Sequence, residues 1–374
     1  MSKAAELAAL IGSQTALSNK NMVTNGAMNV AQRSVSVTGL GDGDGGYVTL
    51  DRVRHTAAAS AGRFTSAQTA ISDLPGFLNC LHLDCTTADT SIASSELLVL
   101  EHRMEGQNLQ QLKKGTSSAE SITVSFYMKT NKAFTFMCAL NDYDNNRINT
   151  QQFTTTTDWT RHSITFVGDT TGSLVDDANN SLSIEFYLHA GATYTGGTYS
   201  ANTWQSRQLS DNMRAVGIGS FYDSTDNDIK LTGLQMEIGE VATPFEHWSF
   251  GDELARCKRY FERFERQRPG AGSAGTTSLW AGPARSGASN VQGPMHYVEK
   301  RNNPTISVSS AGHLNAIYPI SPFNAALSAF GIDGNAGTQS AYINATGSGS
   351  PGSDCASFVY IGDAAGYLDI DAEL

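Results

Sequence analysis

Carboxylates are the commonest charged side chains in this chain, with 36 Asp and Glu against 25 Lys and Arg. Two turns concentrate them. Asp42 and Asp44 lie in Gly-Asp-Gly-Asp-Gly-Gly, and Asp223, Asp226 and Asp228 lie in Asp-Ser-Thr-Asp-Asn-Asp. Calcium takes several oxygen ligands, so either turn is a candidate, with Asp42 and Asp44 as the metal ligands to test. Neither turn has EF-hand spacing, and Asp and Gly also build turns for backbone reasons alone. A structural calcium ion is therefore the one cofactor considered. Glu96, Glu101 and Glu105 could cluster, but surface charge beside a strand is the simpler reading. The histidines are scattered. His82 and His189 alternate with apolar residues and read as solvent-facing strand positions rather than catalysts. No nucleophile elbow, HExxH, P-loop or GxGxxG in a strand–helix context appears, so the chain is expected not to be an enzyme.

Sugar recognition combines aromatic platforms with amides and hydroxyls. Tyr194, Tyr199 and Trp204 fall in one Gly/Thr-rich segment and are the glycan-binding candidates. The competing role for Trp204 is to cover the edge of a sheet. Trp159, just before the strand Ile164–Phe166, reads as core.

The elements that would position these residues are strands. Ile122, Val124, Phe126 and Met128 alternate with Ser121, Thr123 and Ser125. Leu182, Ile184, Phe186 and Leu188 alternate with Ser183, Glu185 and His189, and Leu234, Met236 and Ile238 alternate with Gln235 and Glu237. This period of two predicts antiparallel sheets with one face buried and one solvated, so Phe126, Ile184, Phe186 and Met236 should be core. Many short strands separated by turn clusters predict an all-β fold, a jelly-roll-like antiparallel β-sandwich over residues 21–248. A short helix is expected near residues 3–11, within an N-terminal anchor of residues 1–20. A connecting helix is expected over 249–270, clearest from Asp252 to Arg266. Leu254, Cys257, Phe261 and Phe264 would there form an a/d-type stripe, a candidate oligomer seam. A Gly/Ser/Ala-rich stretch opens a small C-terminal β domain over 271–374, with strands near Ile306–Val308, Ala341–Ile343 and Phe358–Ile361 and a last strand from Tyr367.

Charge and composition exclude several classes. Charged residues are 16% of the 374, and the net charge of -11 argues against a phosphate-backbone partner, so no nucleic acid is expected. The basic run from Arg256 to Arg268 is interleaved with Glu262 and Glu265. Five cysteines without regular spacing fit a reducing compartment rather than a disulfide framework. No apolar run reaches the ~20 residues of a membrane helix, so no membrane insertion is expected. The N-terminus makes a poor signal peptide because Glu6 interrupts its apolar stretch.

An ordered set of motifs resembles one family. Asn21-Met-Val-Thr-Asn-Gly-Ala-Met-Asn-Val-Ala-Gln-Arg33 resembles the start of many tailed-bacteriophage tail-fibre and virion structural proteins. Leu231-Thr-Gly-Leu-Gln-Met-Glu-Ile-Gly-Glu-Val-Ala-Thr-Pro-Phe-Glu246 is similar to that family's sandwich-ending strand, and Asp252–Phe261 to its following helix. Asn303-Pro-Thr-Ile306 and Asp371-Ala-Glu-Leu374 resemble pieces of its C-terminal module, and Asp158-Trp159 sits where the family keeps a tryptophan. The resemblance implies a virion protein, assembled in the bacterial cytoplasm, with a carbohydrate-binding-module-like sandwich. It implies a fibre or appendage subunit that helps attach the particle to host-surface glycans, forms homotrimers, and meets other virion proteins through its N-terminal segment. The alternatives are a head-fibre or capsid decoration protein with a purely structural role and, less in keeping with the residues, a polysaccharide depolymerase.

Overall fold

The computed structural model describes residues 20–207, 213–265, 277–284, 290–318, 323–347 and 355–374. The helix expected over residues 3–11 lies outside them. The chain divides into two compact units, Met1–Leu254 with Leu374, and Ala255–Glu373.

The first unit is the expected jelly-roll-like antiparallel sandwich. Its strands are β1 (Ser36–Leu40), β2 (Gly46–Tyr47), β3 (Arg54–Ala58), β4 (Arg63–Ala70), β5 (Asn79–Thr87), β6 (Leu97–Glu105) and β7 (Ile122–Thr130). β8 (Thr135–Asp142), β9 (Arg147–Thr154), β10 (Thr160–Phe166), β11 (Asn180–Ala190), β12 (Gln205–Ser206) and β13 (Asp228–Ile238) follow. Six strands form one sheet in the order β1-β4-β5-β13-β7-β10, and seven form the other in the order β12-β9-β8-β11-β6-β3-β2. The apolar phases of both sheets supply one core, with Phe126, Ile184, Phe186 and Met236 at most 2% exposed. Phe126 and Phe186 meet edge to face at 4.8 Å between centroids.

The alternating polar phase is not solvated, contrary to expectation. Ser183, Glu185, His189, Gln235 and Glu237 are all buried. Returning chain covers parts of the outer faces. Over β13, Glu237 accepts from the Thr243 amide (2.8 Å) and hydroxyl (2.7 Å), while Gln235 accepts from the Glu246 amide (2.8 Å). Periodicity identifies which residues share a face, but a loop that later covers the polar face leaves no periodic signal.

Two of the motifs that carry the family resemblance meet here. The Asn21 side chain donates to the Leu234 carbonyl (3.2 Å) and accepts from the Met236 amide (3.1 Å). A Cβ on Gly26 would lie 2.1 Å from the Leu234 oxygen, so only glycine permits that approach. Asn25 adopts φ +62°, and its side chain ties the Val30 and Asp51 carbonyls into the same turn. These motif residues act in packing the first turn onto β13.

The connecting helix is shorter than expected. It spans Phe250–Lys258, and the chain then forms β14 (Phe261–Glu265), which pairs with the strand Tyr367–Asp371. The proposed helical stripe is thereby corrected. Leu254 and Cys257 are helical, whereas Phe261 and Phe264 belong to a strand. Phe261 is 1% exposed and Phe264 is half-buried against the second unit's core. An aromatic-rich Tyr-Phe-Glu-Arg-Phe run suits a strand with a pairing partner, and that long-range partner overrides the helical spacing.

The second unit holds β14 to β22. β15 (Thr277–Ala284), β16 (Asn290–His296), β18 (Leu314–Tyr318), β19 (Phe323–Ile332), β20 (Ser340–Gly347) and β21 (Cys355–Ile361) close a six-stranded barrel in the order β15-β16-β20-β19-β18-β21. β17 (Thr305–Val308) and β14 flank β22 (Tyr367–Asp371) in a separate three-stranded sheet. Small and β-branched residues fill the interior, among them Val291, Ala316, Ile343 and Val359. Gly282 lets β15 approach β16, since a Cβ there would lie 1.7 Å from the Gln292 oxygen. Glu262 is buried beside Lys300 and Lys258, each at 3.1 Å. Burial alone would raise its pKa, but those two ammonium groups hold it below the usual carboxylate range.

Candidate functional site

The outer face of the seven-stranded sheet carries the densest polar network. Residues of one phase of β3, β6, β11, β8 and β9 point there. In register, Arg54 opposes Glu101, Glu101 opposes Glu185, and Glu185 opposes Ala139. Two carboxylates therefore sit on neighbouring strands of one face, within direct cross-strand reach.

Each carboxylate is saturated by a different set of donors. Glu101 accepts from the guanidinium of Arg54 (2.7 Å), from Arg103 (2.8 Å) and from the Thr56 hydroxyl. Glu185 accepts from neutral groups: the Asn141 amide (2.6 Å), Ser183 (2.9 Å), Tyr143 (3.1 Å) and Tyr187 (2.8 Å). Burial, and then the charge of Glu185, pushes both phenols well above their usual range, so Tyr143 and Tyr187 remain neutral donors. Tyr143 opens the β8–β9 turn, fixed by its amide bond to the Ser181 carbonyl (2.9 Å) and by the left-handed φ of +55° at Asn146. The guanidinium carbons of Arg103 and Arg207 lie 5.5 and 4.9 Å from its ring centroid. Arg103 also donates to the backbone oxygen of Leu374 (3.1 Å). Among the described residues, Arg207 has no carboxylate partner, and its Nε and the Asn141 Oδ1 have no hydrogen-bond partner.

The three glycan candidates are divided. Tyr194 and Tyr199 pack on the apolar part of this same face, with Leu97, Val99, Met137 and Tyr187. The Tyr199 hydroxyl accepts from the Gln152 amide (2.9 Å), and the Arg214 guanidinium lies 5.9 Å from the Tyr194 ring. Trp204 packs instead against the main core, its indole donating to the Val167 carbonyl (2.7 Å). Sequence reasoning missed Tyr143, Arg103, Arg207 and Glu185. The available signal was a carboxylate followed two residues later by a tyrosine within one strand phase, Glu185 and Tyr187.

Other chemistry-bearing groups are structural. Asp42 accepts from the Ala59 amide (2.7 Å) and Asp44 from the Gly41 amide (3.1 Å), both as exposed turn residues. No group of three or more metal-ligating side chains occurs among the described residues, and the calcium reading of Asp42 and Asp44 gains no support from this geometry. One cation enclosed in this unit is the ammonium of Lys114. Lys114 Nζ lies 2.5 Å from Asp142, 3.0 Å from Asp169, and 3.0 and 2.9 Å from the Thr171 and Gly172 carbonyls. Burial would raise Asp169, but Arg147 and Lys114 hold it below the usual carboxylate range. Glu96, Glu101 and Glu105 are all buried rather than at the surface. Glu96 bonds His189 Nε2 (2.9 Å), whose Nδ1 meets the Ser220 hydroxyl (2.8 Å). This Ser–His–Glu array resembles a hydrolytic relay in composition. His189 is fully enclosed beside Tyr222, and Ser220 already accepts the Tyr222 amide as a helix cap (3.1 Å), so it acts as a strut. Trp159, expected in the core, is half-buried and bonds Asp73 (2.9 Å) outside the six-stranded sheet.

No family model and no curated protein matches the chain. Among solved structures, a CBM4 structure is 11% identical, covering 58% of this chain and 99% of that one, with a TM-score of 0.30. A family 11 carbohydrate-binding module from Clostridium thermocellum in complex with a β-1,3-1,4-mixed-linked tetrasaccharide is 13% identical, covering 56% and 99%, with a TM-score of 0.27. The enzymatically active domain of tailspike protein 4 of bacteriophage CBA120 is 8% identical, covering 58% of this chain and 21% of that one, with a TM-score of 0.29. The chemistry of the face rests on the residues themselves.

Proposed function

We propose that the first unit is a glycan-binding module whose ligand lies on the outer face of the seven-stranded sheet. The observation that carries this reading is the convergence of Tyr143, Arg103 and Arg207 over the buried Glu185, beside the tyrosine-bearing segment of Tyr194 and Tyr199. Sites that orient polyhydroxylated ligands combine aromatic surface with a few fixed polar groups. The experiment is an oligosaccharide array probed with the intact protein and with Tyr143→Ala. Retention on specific glycans that falls at least tenfold in the variant is expected. Binding that the variant leaves intact contradicts this location.

The same reading places the chain in a bacteriophage virion as a fibre or appendage subunit, supported by the ordered motifs from Asn21 to Leu374. Immunogold labelling of purified particles should mark an appendage. Label confined to the capsid surface would favour the head-decoration alternative. Homotrimerisation belongs to this reading by analogy, and it now requires a surface other than the stripe Leu254–Phe264. Mass photometry should give a trimer; a monomer at micromolar concentration contradicts it. The opposed Glu101 and Glu185 invite a depolymerase reading. Saturation of both by fixed donors favours binding over acid–base work, and no release of reducing ends is expected.

A further inference from the structure

We infer that this face selects acidic glycans, sugars carrying a carboxylate or comparable oxyanion, over neutral ones. The inference rests on the glycan-binding reading and adds its ligand class. Its basis is a local charge that runs against the chain as a whole. The molecule carries a net charge of -11, yet Arg54 and Arg103 meet Glu101 on this face and Arg207 lies over the ring of Tyr143, whose hydroxyl donates to Glu185. Arg54 and Arg103 both serve Glu101. Glu185 is held by the Asn141 amide and the hydroxyls of Ser183, Tyr143 and Tyr187, with no cationic partner among the described residues. Among the described residues, Arg207 is left without a carboxylate partner. It is half-buried, lies 4.9 Å from the Tyr143 ring, and has an Nε without a hydrogen-bond partner.

A guanidinium in this position calls for a particular partner. It stays protonated at every relevant pH, and its planar fork matches a carboxylate bidentately. Partial burial of an uncompensated charge is costly, and an incoming oxyanion relieves that cost. A neutral sugar would supply only hydroxyls and leave the charge uncompensated. The aromatic contact orients the guanidinium before the ligand arrives, so less rotamer freedom is lost on binding.

The test is calorimetric titration of the intact protein with a panel of uronate-, sialate- and sulfate-bearing oligosaccharides, their methyl-esterified or desulfated counterparts, and neutral β-glucan and galactan oligomers. At least one acidic member should bind ten times more tightly than its neutral counterpart. The gap should shrink with added salt and collapse in Arg207→Gln, while Arg161→Gln, a guanidinium on the other sheet, keeps it. The acidic arms separate carboxylate from sulfate recognition. Equal affinity for acidic and neutral forms, or a gap that Arg207→Gln leaves unchanged, overturns the inference while the glycan-binding reading stands. Binding to no member of the panel overturns both. An unchanged melting temperature in Arg207→Gln separates lost contact from lost fold.

Discussion

Lys114 and His55 show how single residues set the stability of the sandwich. The Lys114 ammonium is surrounded by two buried carboxylates and two carbonyls. Removing the cation leaves Asp142 and Asp169 facing each other, with Arg147 the remaining cation paired to them among the described residues. Lys114→Met should therefore cost about 3–5 kcal/mol in urea unfolding, the range for breaking a buried ion pair from one side. His55 is fully buried against Phe64, with its Nε2 on Ser66 (3.1 Å), and burial lowers its pKa from 6.5 to about 4. The unfolded chain then binds a proton that the folded chain refuses. The associated stability is complete above pH 6.5 and is lost as the pH falls toward 4, amounting to about 3 kcal/mol for this group. Thermal unfolding measured from pH 7 to pH 4 should show that decline, and His55→Gln should flatten it. An unchanged slope would show that other groups set the acid limb.

At the scale of elements, the core phase of each strand was legible and its opposite phase was not. Phe186 illustrates the first. The alternation of its strand with Ser183, Glu185 and His189 marked it as core, and it packs on Phe126 and Phe153 at 2% exposure. Phe186→Ala should cost about 3–5 kcal/mol, measurable by chemical denaturation. Glu185, its neighbour, illustrates the second. A carboxylate in the polar phase reads as solvated, but four neutral donors from β8, β11 and the β8–β9 turn enclose it. Those partners are up to 44 residues away in sequence, a separation that no local period reports. The stripe Leu254–Phe264 failed for a related reason. Its spacing satisfied a helix, yet the pairing partner of Phe261–Glu265 is β22, more than a hundred residues further on. Glu185→Gln should keep the neutral hydrogen bonds of one oxygen and lose acceptor capacity at the other. It should lower the unfolding midpoint modestly and weaken glycan retention more than it weakens the fold.

At the scale of the molecule, the sandwich and the closed barrel are separate solutions to the same composition. A chain rich in Ser, Thr, Asn and Gly with 16% charged residues folds into strands that either pair two sheets around one core or close on themselves. The sandwich was readable from its regular alternation. Closure of the barrel was not, because it depends on β15 meeting both β16 and β21. What distinguishes the sandwich is that its seven-stranded sheet buries a polar network on the face away from the core, where packing alone would favour apolar residues. That network is proposed to serve ligand binding. The direct measurement is the affinity of one array-identified glycan for the wild type, Tyr143→Ala and Trp159→Ala, the last lying outside the other sheet. A loss of at least tenfold is expected for Tyr143→Ala and none for Trp159→Ala. The reverse pattern, or equal affinity for all three proteins, would contradict that proposal.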